Sequence, residues 1–226
     1  MFGAFKSIPL KRELFSKLGN AMPTDPRPFE QTRDDLGIAQ DAVVFTLVAR
    51  GIRQKGWLES ILAFIRLRDE NPGRRMHLLL CGEGDEVSRL AKIYANEPNI
   101  TFLGYQSRIS GLFRIILPTR FIGESFPLCI IQAMQVDTPI IATKIGEIET
   151  MVGRPGSVAG ILIENDSNND NFVNSLKGAM NLMLEESART DFAMASKRNS
   201  SEYDMDTITD RYCSLYERLI MKETAA

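Results

Sequence analysis

The stretch Leu117-Pro-Thr-Arg-Phe-Ile-Gly-Glu-Ser-Phe-Pro-Leu-Cys-Ile-Ile-Gln-Ala-Met134 decides how the rest of the chain is read. An apolar run closes at Leu117-Pro118, a polar elbow follows with Glu124 at its tip, and amphipathic spacing begins near Pro127. Proline suits the first turn of a helix, where no N–H is required. The stretch therefore reads as strand, loop and helix N-terminus, with a carboxylate held over the helix start. Such an end carries free backbone N–H groups and partial positive charge, which suit phosphates and sugar hydroxyls. A glutamate in that place also has a plainer role, compensating the helix dipole.

Working outward, apolar runs alternate with helical spacing from Ala42 onward. Strands are predicted at Val43–Ala49, Met76–Leu80, Ile100–Leu103, Ile115–Leu117, Pro139–Thr143 and Gly160–Ile163. Helices are predicted at Leu58–Asp69, Glu86–Ala95, Leu128–Met134, Phe172–Leu184, Thr190–Ser200 and Asp206–Met221, with a remnant at Leu112–Phe113 and Asp206 as the last helix's cap. This alternation predicts an α/β fold, a Rossmann-like parallel sheet with helices on both faces, followed by C-terminal helices. Residues 1–40, punctuated by Pro9, Pro23, Pro26 and Pro28, read as a linker or arm with a helical piece at Lys11–Leu18. A last helical turn at Gln31–Leu36 stops at Gly37. The expected divisions are 1–40, 41–203 and 204–226, the last a helix that packs back or crosses to a further domain.

In an open parallel sheet, ligands bind beyond the strand carboxyl ends. The positions of interest are then Arg50–Lys55, Gly82–Glu83, Gly104–Tyr105, Pro118–Phe126 and Lys144–Glu149. Arg50 and Lys55 are cations at that margin. Facing a diphosphate near a surface, each would contribute about 4 kcal/mol of gross Coulomb energy before desolvation; a solvated loop is the alternative. Gly82-Glu-Gly84 permits close approach of a nucleotide or is a simple turn; with Val87 in the third glycine position it is not a dinucleotide fingerprint. Glu124 and Gln132 are able to bind hydroxyls from the loop and from the helix that follows it.

The 226 residues carry a formal charge of −2 with pI near 5.6, which argues against a nucleic-acid partner. No apolar run spans a bilayer, and Met1–Lys6 is not followed by an h-region and cleavage site, so no signal peptide is expected. Cys81, Cys129 and Cys213 are odd in number and widely spaced, which fits a reducing compartment rather than a disulfide framework or zinc site. The only histidine, His77, lies inside Met76-His-Leu-Leu-Leu80 and reads as a strand residue with a satisfied ring. Asp204-Met-Asp206 resembles a metal-binding carboxylate pair, but no apolar strand precedes it.

Taken together, the chain resembles the donor-binding half of a retaining GT-B glycosyltransferase of the family 4 type, from about Asn20 to Tyr216. The matching residues are Val48-Ala-Arg50 through Lys55-Gly56 (with Ala49 for the usual glycine), Gly82-Glu-Gly84, Phe102-Leu-Gly104 and Pro118-Thr119. The elbow Glu124 with Gln132, the strand Pro139–Thr143 and the loop Gly146–Glu149 complete the set. The resemblance implies a nucleotide-diphosphate sugar as donor substrate, no metal or other cofactor, and a glycan or lipid-linked acceptor. It implies that Arg50 and Lys55 hold the diphosphate, that Glu124 binds sugar hydroxyls, and that the N–H groups of Phe126 and Leu128 assist at the helix start. Gly82 would approach the nucleotide. Gln132 would meet the ribose where the family has a glutamate.

Two departures stand out. Against the resemblance, these residues are expected to lack a counterpart of the family's preceding acceptor domain and of its catalytic histidine, and the stretch from Gly104 to Pro118 is short. The chain alone is therefore expected to be nearly inactive. A cytoplasmic setting is implied, with peripheral contact at the inner face of the membrane by family habit. A non-catalytic interaction or regulatory module that kept the fold is the alternative. A dinucleotide-dependent oxidoreductase is a third reading, opposed by the missing glycine fingerprint after the first strand.

Overall fold

The computed structural model describes residues 18–23, 31–107, 109 and 126–224, with side chains as far as Met221. The predicted elements at Leu112–Phe113 and Ile115–Leu117, and all but the last residue of the predicted piece at 11–18, lie outside the described residues. Strand β1 (Val43–Val48) runs parallel to β2 (Met76–Cys81), in register from Val43 opposite Met76 to Val48 opposite Cys81. On the far side of β2 lies β3 (Ile100–Gly104), also parallel, with a register irregularity between Leu80 and Cys81. A second parallel pair joins β4 (Ile140–Thr143) to β7 (Gly160–Ile163). A short antiparallel hairpin, β5 (Gly153–Arg154) with β6 (Ser157–Val158), was not expected from sequence. Two-residue strands are too short to show a period.

The strands sort their side chains by alternation. Phe45 and Leu47 of β1, Leu78 and Leu80 of β2, Ile141 of β4 and Ile163 of β7 enter one core. Trp57, Ile61 and Phe64 of helix α1 (Trp57–Glu70) close it, with Val87 and Leu90 of α2 (Asp85–Ile93) and Phe172, Leu176 and Met180 of α5 (Asn169–Leu182). Ile140 and Ala142 of β4 point the other way, into a core with α3 (Leu128–Gln135), α4 (Ile148–Val152) and α6 (Glu186–Ser200). Val44 of β1 with Leu79 and Cys81 of β2 form a third cluster with Ile38 and Ala42. The period-2 side-chain alternation thus covers the sheet on both faces, as a parallel sheet requires.

Before β1 lies a single helical turn fixed at both ends. Thr32 N–H donates to the Asp35 carboxylate at 2.8 Å while Asp35 N–H donates to Thr32 Oγ1 at 3.2 Å, a reciprocal cap. Gly37, at φ +66°, ends the turn, and Ile38 N–H reaches back to Arg33 O at 2.8 Å. The turn and the glycine stop agree with the sequence reading.

Several helix boundaries moved: α5 runs Asn169–Leu182 rather than Phe172–Leu184, and α2 Asp85–Ile93 rather than Glu86–Ala95. α6 starts at Glu186 rather than Thr190, because its first turn is polar and shows no apolar phase. The final helix, α7, spans Met205–Thr224, so Asp206 falls inside its first turn and is not its cap; Asp204 precedes it with extended backbone at φ −67° and ψ 146°. Ile208 anchors α7 in the fold, whereas Tyr212, Tyr216 and Leu219 are 37%, 57% and 52% exposed.

Candidate functional site

The loops leaving β1 and β2 touch along their backbones. Ala49 N–H donates to Cys81 O at 3.1 Å, Gly51 N–H to Glu83 O at 2.7 Å, and Glu86 N–H to Gly51 O at 3.0 Å. A Cβ on Gly82, whose φ is +151°, would lie 1.9 Å from the Ala49 carbonyl oxygen, and one on Gly51 would lie 2.6 Å from Glu83 O. These glycines let two neighbouring loops approach each other. The Gly82 N–H is itself donated to Gly104 O at 2.8 Å, which ties in the end of β3. The reason that residue 82 is glycine is therefore a contact within the protein.

Arg50 follows β1 directly. Its carbonyl accepts a hydrogen bond at 2.9 Å from Nε1 of Trp57, which is wholly buried. The indole fixes the backbone under Arg50 while the residue stays exposed. No hydrogen bond or ion pair holds its guanidinium among the described residues. Lys55 is not part of a solvated loop. It closes a 3₁₀ turn, Arg53–Lys55, ended by Gly56 at φ +73°, and is 5% exposed with partners of its own.

Beyond the ends of β1, β2 and β3 opens a cavity of about 400 Å³. Arg50, Gly82, Glu83, Tyr105, Gln106 and Gln132 are on its wall. Three of the residues singled out from sequence, Arg50, Gly82 and Gln132, are thus brought together from three separate elements. Lys55, Phe126 and Leu128 are not on this wall. Phe126 packs edge-on against Tyr203, with ring centroids 5.6 Å apart. Leu128 opens α3 and is 42% exposed; Pro127 precedes it as the N-cap, and no side chain caps the helix among the described residues. Glu124 lies outside the described residues.

Gln132 has no hydrogen-bond partner among the described residues, so its amide is open to the cavity. Gln106 is held, its Nε2 donating to Leu103 O at 2.9 Å. Cys81, also on the wall, receives the Gln106 N–H at its sulfur, yet burial pushes its thiol up to about 11. It stays protonated near neutrality and is not a nucleophile. Tyr105 lies on the same wall at 67% exposure. Sequence reading placed Tyr105 at the right margin but gave it no part; an aromatic immediately past a strand-ending glycine was the available signal. Among the described residues no group of three His, Cys, Asp or Glu side chains is placed to hold a metal ion.

A doubly covered parallel sheet with a cavity at the carboxyl margin is one Rossmann-like half of the GT-B glycosyltransferase fold. Residues 28–198 match the family model described as glycosyl transferases group 1, and the chain belongs to that family. D-inositol 3-phosphate glycosyltransferase of Corynebacterium jeikeium (strain K411) is 26% identical over 210 residues, covering 87% of this chain and 48% of that protein. The chain thus spans about half the length of that relative. The pneumococcal O-GlcNAc transferase GtfA, solved with UDP and GlcNAc, superposes at a TM-score of 0.70 and 17% identity, over 90% of this chain and 38% of its own. HepE of Anabaena, solved with UDP and glucose, superposes at 0.65 and 21% identity, over 82% and 51%. At these identities the overlays establish the fold.

Proposed function

We propose that this chain is the donor-binding half of a glycosyltransferase that uses a nucleotide-diphosphate sugar. The cavity that joins Arg50, Gly82 and Gln132 beyond the carboxyl ends of the sheet carries this reading. Arg50 engages the diphosphate with a guanidinium that no carboxylate occupies among the described residues, and its planar fork suits phosphate oxygens. Lys55, fixed in its 3₁₀ turn, adds positive potential behind it. The N–H groups of Phe126 and Leu128 and the partial charge of the α3 N-terminus stabilise the departing diphosphate without a metal ion. Glu124 takes the sugar hydroxyls. Gln132 meets the ribose as donor and acceptor but without charge. Tyr105 offers its ring as a platform for the base, a contact worth about 1–3 kcal/mol where aromatics stack on bases.

The reaction is retaining transfer to a glycan or lipid-linked acceptor, in the cytoplasm or at the inner face of the membrane. The acceptor is positioned by an N-terminal domain, against which α7 lays its apolar side. The exposed Tyr212, Tyr216 and Leu219 support that docking, as does the half-length match to the curated relative. An open half-cleft neither excludes water nor orients an acceptor, so this chain alone binds donor and transfers little. Calorimetry of the 226-residue chain with UDP, GDP and ADP tests the reading. Saturable heat with one of them, weakened by Arg50→Ala, is expected. No heat with any of the three, in a folded sample, overturns it.

A further inference from the structure

The first turn of α3, which the proposed function sets against the diphosphate, has little of its own to hold it. No side chain caps it among the described residues, and the buried residues of α3 begin only at Ile130. Its placement therefore depends on the residue that leads in, Phe126, which is joined to Leu128 through Pro127. The ring of Pro127 fixes φ, here −76°, so the connection has little slack. Phe126 in turn reaches a different element, packing edge-on against Tyr203 with the ring planes at 68°.

Tyr203 is itself firmly placed. It closes the 3₁₀ turn Ser201–Tyr203 between α6 and α7 and is 9% exposed. Before it, Asn199 Nδ2 donates to Met151 O at 3.2 Å and to Ser157 O at 3.0 Å. Beside it, Glu202 pairs with Arg154 of β5 at 3.5 Å and with Arg211 of α7.

The segment 18–23 meets the same ring. A Cβ on Gly19 would lie 3.2 Å from Phe126 Cζ and 3.7 Å from Ile208 Cδ1. At Met22 the segment reaches the far end of α3, where the Met22 carbonyl accepts from Gln135 Nε2 at 2.7 Å. It thus touches the residue that leads into α3 and the residue that closes it.

We infer that Tyr203 is a positioning residue for the donor site and that Gly19 assists it: their contacts with Phe126 set the angle at which α3 presents its N-terminus to the diphosphate. This role rests on the donor-binding reading above. Neither residue lines the cavity that holds Arg50 and Gln132, so both act through Phe126. The angle matters because N–H donors are directional and the partial charge of a helix end acts only within its first turn.

Calorimetry of the 226-residue chain tests the role, with whichever of UDP, GDP and ADP the native chain binds and with the matching monophosphate. Tyr203→Leu keeps the position apolar but removes the ring. It should weaken the diphosphate about tenfold, the scale of one lost aromatic pair, and the monophosphate distinctly less. The ratio of the two constants is therefore expected to fall, and Tyr203→Phe, which keeps the ring, should restore it. Gly19→Ala, a milder change that crowds the Phe126 ring, should move the ratio in the same direction. An unchanged ratio in Tyr203→Leu, or a loss as large in Tyr203→Phe, overturns the positioning role and leaves the donor-binding reading intact. Should Tyr203→Leu fail to fold, an unchanged ratio in Gly19→Ala overturns the role instead. No binding of any of the three diphosphates to the folded native chain overturns both.

Discussion

The two margins of the sheet differ in how their polar groups are used. At the amino margin Arg75 pairs with Asp41 at 3.0 Å, Arg74 with Glu185 at 3.2 Å, Arg68 with Glu97 at 2.7 Å, and His77 Nε2 with Thr101 Oγ1 at 2.8 Å. At the carboxyl margin the backbone is locked by glycine contacts and by Trp57, while Arg50 and Gln132 have no side-chain partner among the described residues. Polar groups that the protein satisfies hold the fold together. Those that it positions without a partner among the described residues are the candidates for a ligand.

The largest effect should come from breaking the lock at the carboxyl margin. Gly82→Ala sets a methyl 1.9 Å from the Ala49 carbonyl oxygen at a φ of +151°. Backbone strain and overpacking act together there and should cost about 4 kcal/mol. A urea titration reads the loss, and nucleotide binding should fall with it. An unchanged midpoint would mean that the two loops are free to separate, and the contrast between margins would fail.

Acid attacks the other margin. Burial lowers His77 to about 4, against about 6.5 for the ordinary side chain. Between those values the unfolded chain takes up a proton that the folded form refuses, so stability rises with pH across this window. The contribution is complete above about pH 6.5 and is lost progressively as the pH falls toward 4, about 3 kcal/mol in all. Unfolding midpoints measured from pH 7 to pH 4 should show this slope, and His77→Gln should flatten it. A slope that persists in the variant would assign the acid sensitivity to other groups.

Arg50→Ala should separate function from stability. With no carboxylate on its guanidinium among the described residues, its removal should leave the urea midpoint within error. Affinity for a nucleoside diphosphate should drop about thirtyfold, or about 2 kcal/mol, the scale of a charge-assisted hydrogen bond. If stability falls as far as affinity, Arg50 belongs with the paired arginines of the opposite margin.

Much of this division was readable before any coordinates. Val43–Ala49 and Met76–Leu80 declare themselves as covered strands by apolar runs interrupted only by Thr46 and His77, and the residue after such a strand is a candidate by topology. Arg50 followed from that alone. Burial of Lys55 did not, because the 3₁₀ turn that draws it in depends on Gly56 and on the packing of Trp57 behind it. The glycine of residue 82 was legible as permissive but not as obligatory, since its constraint is the Ala49 carbonyl of a loop far away in sequence. Nor did the sequence distinguish the satisfied arginines from Arg50, because their carboxylates lie on other elements, as Glu185 does for Arg74.

Ser60 supplies the smallest effect and a limit on the contrast itself. Its side chain is wholly buried in α1, and its hydroxyl is the buried side-chain polar atom that finds no partner among the described residues. An open polar group marks a ligand site only where a ligand has access, and here solvent has none. The hydroxyl should therefore cost stability without contributing function. Ser60→Ala removes an unsatisfied oxygen and also improves helix propensity, two effects of the same sign that together should raise stability by about 1 kcal/mol. The urea midpoint should move up while nucleoside diphosphate affinity stays put. A loss of stability instead would reveal a hydrogen bond to Ser60, and the residue would join the satisfied groups of the fold.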